Sequence, residues 1–367
     1  MHNKIIHKPE VSDIPKDLIK PPIIEIFNDF DIFRAGMNYR CALERLQWSR
    51  GMIVEGSYAT AIALYTWLKK RISSKHPVRD YISSRRTKEL IHETTRKIFL
   101  EVKDHKINLH KSPENPFLKA LYPDKTGFII SLPDILGMNG AWQWCKKGIV
   151  YPVLEHRIHP FYGVYFPMRE KHLVMFDQWI KRNKQKYKNA IDIGTGCGIL
   201  SFVMAKHGIK SIYATDINPN AVYSTRTEAE RLGLDRCIDV ERASLFGSQK
   251  KRGELVVFNP PWLPGDCYNE IDRGIYYDKQ FFQNFFNQAE NGLDKGNTLA
   301  IIFSTFAIEA GLTDHNPVEK EINNRQSFVV EDKLTRKAYE EGEYYSKSWL
   351  SEIRTKEKIE LWIIKKS

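Results

Sequence analysis

From Ala190 onward, short apolar runs alternate with helical ones, and this alternation limits the possible folds more than any other feature. Ala190–Ile193, Ser211–Thr215, Ile238–Arg242, Leu255–Phe258, Thr298–Ser304, Phe328–Glu331 and Ile359–Ile364 read as strands. Between them, Ile199–His207, Asn220–Leu232 and Gln280–Glu290 carry helical spacing. Such alternation implies an α/β fold, a mostly parallel sheet with helices on both faces. A sheet of this kind takes its ligand beyond the carboxyl ends of its strands, at the topological switch point. Chemistry should therefore sit just after strands.

The first strand runs into Asp192-Ile193-Gly194-Thr195-Gly196-Cys197-Gly198-Ile199. Glycines let a backbone turn tightly and approach a ligand where a Cβ would clash. A dinucleotide loop would be G-x-G-x-x-G, built around a pyrophosphate. Here the spacing is G-x-G-x-G, Ile199 holds the third-glycine place, and Asp192 precedes the loop. An acid there suits a cationic amine better than a diphosphate. The second strand ends at Asp216, whose carboxylate can accept both hydroxyls of a ribose. Loop and acid together point to a nucleoside-bearing cofactor.

These residues resemble the first motif and the ribose acid of class I S-adenosylmethionine-dependent methyltransferases, over residues 189–367. The resemblance implies a Rossmann-like sheet and S-adenosylmethionine as cofactor. Asp192 and the loop Gly194, Thr195, Gly196 and Gly198 would hold the methionine moiety, Asp216 the ribose, and Ile217 would pack on the adenine. After the third strand such enzymes often carry a G-D-x-F-like string. Here it is Ala243-Ser244-Leu245-Phe246, so Ser244, next to Leu245, brings a hydroxyl to the adenine amine in place of a carboxylate.

The fourth strand ends in Asn259-Pro260-Pro261-Trp262. Two prolines fix the loop and leave carbonyls that no neighbouring N–H claims. Asn259 Oδ1 and the Pro260 carbonyl can accept the two N–H bonds of a planar nitrogen, and Trp262 can stack on its plane. Holding that nitrogen in line with a methyl group supplies proximity, and the acceptors favour the charge developing on it. The string resembles that of methyltransferases acting on glutamine side chains or on exocyclic amines of nucleobases, most of which have Tyr or Phe where Trp262 stands.

Upstream, residues 1–147 read as a mainly helical domain for substrate or partner recognition. Helical spacing spans residues 32–73, broken at Gly56-Ser57, and again Thr87–Val102, with 103–126 as loop. Residues 148–188 read as a β-hairpin (Gly148–Leu154 with Tyr162–Phe166), a connecting helix and the basic run 181–188. With Phe166-Pro167-Met168-Arg169-Glu170 before the sheet, this layout is similar to the release-factor glutamine methyltransferases, which makes Arg169 a candidate substrate residue. Tyr276, Tyr277 and Asp278, after the Asn259 loop, are candidates for shaping the acceptor pocket.

Three acceptor classes stay open: a protein glutamine amide, an RNA or DNA base, and a nitrogen in a small molecule or peptide natural product. The net charge of +11 and the basic stretch Lys69–Lys97 favour the second, although no nucleic-acid-binding motif accompanies them. A protein acceptor ranks first on the overall layout. The five cysteines lack a CxxC pair, and His156 and His159 lack a third ligand, so no metal is expected. No apolar run approaches the roughly 20 residues of a membrane span. The charged N-terminus lacks a secretory pattern, which leads us to expect a cytoplasmic protein.

Overall fold

The computed structural model describes residues 14–248, 253–267, 272–339 and 349–367. It falls into two compact units, Glu10–Gln143 and a second that includes Trp144–Ser367.

The second unit is built on a seven-stranded sheet. We number its strands β1 (Asn189–Ile193), β2 (Ser211–Asp216), β3 (Ile238–Arg242), β4 (Leu255–Phe258), β5 (Thr298–Ser304), β6 (Phe328–Lys337) and β7 (Lys358–Lys366). Their order is β6-β7-β5-β4-β1-β2-β3. β1 to β5 run parallel, and β7 enters antiparallel between β5 and β6. This is a Rossmann-like sheet, parallel but for its one inserted antiparallel strand. Every residue of β4 and β5 is buried, as central strands covered on both faces require. The helices of interest are α1 (Lys171–Asn183), α2 (Ile199–Lys206), α3 (Pro219–Leu232) and α4 (Phe281–Gly292). α4 buries Phe282, Phe285 and Phe286 in a core cluster with Phe246, Phe258 and Phe303.

The register places the site. β1 pairs with β4 so that Ile193 lies opposite Phe258, and with β2 so that Ile193 lies opposite Thr215. The next residues in each chain segment, Gly194, Asn259 and Asp216, therefore leave the sheet side by side. Between β1 and β4 the strand order reverses, which is the switch point where a crevice opens.

The first unit departs from the sequence reading. It contains the expected helices, at Tyr39–Trp48, Tyr58–Lys75 and Tyr81–Thr95, but they accompany a six-stranded mixed sheet. It is an α/β unit rather than a mainly helical one. Ile32 and Phe33 belong to the strand Asp31–Phe33, and Met52–Val54 forms another. The helical pattern assigned to Thr87–Val102 ends at Thr95, and Ile98–Lys103 is a strand. There Ile98, Leu100 and Val102 are fully buried while their neighbours alternate outward, a period of two that overlaps the helical stripe at Ile98. Asp104 and His105, both at positive φ, turn this strand back into Lys106–Ile107. Gly56-Ser57 does mark a helix start, with Ser57 accepting from Thr60 N.

The hairpin expected over 148–166 is reduced to one antiparallel bridge, Ile149 with Ile158. Pro152 and Pro160 cannot donate to a ladder, and the carbonyls of Tyr162 and Gly163 accept instead from the side chains of Asn220 and Asn218. Most of the N-terminal stretch read for a secretory pattern lies outside the described residues.

Candidate active site

The glycine loop is held from below. Asp192 is fully buried at the end of β1, and its Oδ2 accepts from Thr195 Oγ1 (2.8 Å), Ser201 Oγ (2.6 Å) and Ser201 N (3.1 Å). These bonds tie the strand end to the loop and to the first turn of α2. Its Oδ1 is buried with no hydrogen-bond partner, and burial raises the carboxyl pKa to about 6. Asp192 does not line the cavity above it, so the structure places it behind the loop and not in the wall that would face a methionine amine.

Two of the glycines are required by space. A Cβ on Gly198 (φ +81°) would meet Phe202 at 2.7 Å and Thr225 at 2.9 Å. A Cβ on Gly196 (φ +55°) would meet the Tyr165 carbonyl at 3.2 Å. Gly194, Thr195 and Gly196 face a cavity of about 700 Å³, whereas Gly198 turns the chain into α2 and does not line it.

Asp216, half-buried at the end of β2, lines the same cavity. Its Oδ2 accepts from Gly196 N and its Oδ1 from Asn218 N, both at 2.9 Å. Each oxygen keeps a lone pair for a diol, and burial raises the pKa of this acid. Ile217 follows, 51% exposed, an apolar side chain left open on the cavity wall where a flat ring would cover it. Ser244 and Leu245 stand beside it, with Leu245 at φ +49° and its carbonyl held by Thr215 Oγ1 at 2.6 Å.

Asn259 and Pro261 also line the cavity, while Pro260 is buried and does not. Trp262 does not line the cavity. Its indole N–H donates to Asn259 Oδ1 (3.1 Å), and its ring meets His172 edge-on, with centroids 5.5 Å apart. The sequence reading expects Trp262 to stack on an acceptor. The structure instead packs it beside the core cluster as a support for Asn259, because a half-buried indole N–H needs a partner and Oδ1 is in reach.

Tyr276, Tyr277 and Asp278 line the cavity, and burial pushes the Tyr277 phenol up to about 12. Arg169 does not. Its guanidinium pairs with the buried Glu357 (3.3 Å), which also takes Arg354 and the Ser304 hydroxyl (2.6 Å), so the arginine anchors structure. Residues that sequence reasoning did not single out complete the wall: Tyr165, His172 and Leu173 from the segment before the sheet, and Phe281, Asn284 and Gln288 from α4. His172 sits three residues beyond Arg169, on the first turn of α1.

Comparison with known proteins identifies the chemistry. The methyltransferase small domain family matches residues 177–330. A protein of Methanocaldococcus jannaschii, provisionally named a protein N5-glutamine methyltransferase, is 28% identical over 163 residues, 42% of this chain and 79% of that protein. This chain is an S-adenosylmethionine-dependent methyltransferase. Ribosomal protein L11 methyltransferase of Acinetobacter baumannii is 47% identical over 60 residues, 16% of this chain and one fifth (20%) of that enzyme. Among solved structures, a ribosomal protein L11 methylase of Lactobacillus delbrueckii covers 59% of this chain and 91% of its own, at 20% identity and a TM-score of 0.38. The cofactor is S-adenosylmethionine, and the residues fit it: glycines on the cavity wall at Gly194 and Gly196, a carboxylate with lone pairs free for a diol at Asp216, and an open apolar side chain beside it at Ile217. Among the described residues, no three His, Cys, Asp or Glu side chains gather to hold a metal, and no helix is long and apolar enough to cross a membrane.

Proposed function

We propose that this methyltransferase acts on a planar amide or amine nitrogen, with a protein glutamine side chain as the acceptor. The observation that carries this is Asn259, on the Asn-Pro-Pro-Trp loop, lining the same cavity as the glycine loop and Asp216. Bound there, the cofactor supplies an electrophilic methyl group on a sulfonium. Asp216 would hold the ribose, Ile217 and Leu245 would cover the adenine, Ser244 would meet its amine, and the loop from Gly194 to Gly198 would follow the methionine chain, with Asp192 bracing that loop. Asn259 Oδ1 has one lone pair on Trp262 and one free to accept an N–H of the acceptor. The nitrogen so held would take up the methyl group that the cofactor supplies and release its N–H proton to water, with Asn259 Oδ1 fixing its approach. Positive charge develops on nitrogen during this step, and Asn259 Oδ1 is already oriented to stabilise it. We assign acceptor recognition to the N-terminal unit and pocket shape to Tyr276, Tyr277 and Asp278.

The named glutamine methyltransferase relative supports the protein acceptor. The basic stretches Lys69–Lys97 and 181–188 favour a nucleobase as the second reading. Radiolabelled cofactor on lysate divided into protein, RNA and small-molecule fractions separates them. Label in protein, recovered as methylglutamine, supports the first reading. Label confined to RNA, with acceptor binding that falls steeply as salt rises, supports the second and rejects the first.

A further inference from the structure

His172, on the first turn of α1, is 2% exposed, and neither of its ring nitrogens has a hydrogen-bond partner. Buried polar atoms are nearly always paired, so two orphans on one ring call for an explanation. The ring forms part of the cavity wall, stands edge-on to Trp262 at an interplanar angle of 82°, and through Trp262 is joined to Asn259. His172 and Asn259 thus both line the cavity, and Trp262, behind the wall, touches each of them.

A primary carboxamide presents N–H donors and a carbonyl acceptor in one plane. The Asn259 loop has few donors: its two prolines have no N–H, the indole N–H is used on Asn259, and Asn259 Nδ2 is the side-chain donor left on it. His172, in the same cavity wall, is a second source of a donor for the carbonyl. We propose that His172 is the carbonyl's partner, a neutral imidazole that donates an N–H to the carbonyl oxygen of the carboxamide whose nitrogen Asn259 holds. This rests on the amide reading above.

The charge state agrees. Burial, with the Arg169 guanidinium adding to it, holds the His172 pKa down to about 3, so the ring stays neutral and keeps one N–H donor. Arg169 is itself turned to Glu357, which Arg354 also binds, so that carboxylate is not available to draw a proton onto the imidazole. A ring this hard to protonate is a hydrogen-bond partner and not a proton sink.

The test uses the full chain, saturated with S-adenosylhomocysteine and labelled with ¹⁵N-histidine, titrated with N-acetylglutamine methylamide. We expect the His172 ring nitrogens to shift as the amide binds. His172→Phe, which preserves the edge-on contact with Trp262, should bind the amide at least fivefold more weakly. His172→Gln, which restores a donor, should stay within threefold of the parent. Both should bind S-adenosylhomocysteine within twofold, which certifies the fold. Unmoved ring nitrogens at saturating amide, or undiminished amide binding by His172→Phe, would overturn the proposal. The two readings fail separately. Methyl label found only in nucleic acid removes the amide reading and this carboxamide role with it, whereas methylglutamine formed equally fast by His172→Phe removes only the role of His172.

Discussion

The Trp262 indole N–H reaches Asn259 Oδ1 at 3.1 Å, so the residue that ends the Asn-Pro-Pro-Trp string orients the residue that begins it. The amide oxygen is thereby fixed in place before any acceptor arrives. Trp262→Phe keeps a ring against His172 and deletes the donor. A neutral hydrogen bond is worth about 0.5–1.5 kcal/mol, so single-turnover methyl transfer should fall by about 2- to 12-fold. Affinity for S-adenosylhomocysteine, by calorimetry, should stay within twofold. An unchanged transfer rate would show that the bond does not matter to Asn259.

Asn259→Ala removes the acceptor aimed at the reacting nitrogen. Loss of one preorganised polar group at a reacting centre costs about 10²–10³ in rate. Single-turnover transfer should drop by that factor on the true acceptor, and full activity would reject the nitrogen-methylation mechanism.

Asp216→Ala should weaken S-adenosylhomocysteine binding by more than tenfold, or about 1.4 kcal/mol. Besides losing the diol contact, the variant frees the Gly196 and Asn218 N–H groups that the carboxylate now holds. The checking measurement is calorimetric titration of parent and variant under identical conditions, where equal affinities would place the ribose elsewhere.

Gly198→Ala tests the loop itself. At φ +81°, with Phe202 2.7 Å from the new methyl, the variant pays in both backbone strain and contact. Strained positions of this kind cost roughly 1–3 kcal/mol each. The urea midpoint should fall, with cofactor affinity falling alongside as α2 shifts.

Two buried groups push the pH dependence of stability in opposite directions. His172 is neutral in the folded protein down to about pH 3, while the unfolded chain takes its proton near the ordinary imidazole value of 6.5. Its contribution is therefore lost as pH falls through that window. Asp192 is protonated in the folded protein below about 6 but only below 3.8 when unfolded, so its contribution grows as pH falls between those values. Each acts at up to about 1.4 kcal/mol per pH unit. His172→Phe should thus gain stability relative to the parent between pH 6.5 and 4, and Asp192→Asn should lose it between pH 6 and 4. Urea unfolding at three pH values reads both trends, and parallel curves for His172→Phe and parent would show that the imidazole is not kept neutral.

The sequence by itself determined the mostly parallel sheet and which residues stand at its strand ends. Short apolar strands, glycines and prolines act locally: alternation specifies β1 to β5, Gly194 to Gly198 specify the tight turn, and Asp216 and Asn259 are placed by the strand ends. Tertiary structure decided what depends on partners distant in the chain. It sent Arg169 to Glu357, 188 residues away, because a buried carboxylate needs a cation. It also turned Trp262 from a stacking surface into a brace for Asn259 and left His172 unpaired in the cavity wall. In the first unit, the strand at Ile98 was hidden by an apolar spacing that fits both a helix and a strand, and pairing with Met52–Val54 on one side and Gly127–Ser131 on the other settles which forms.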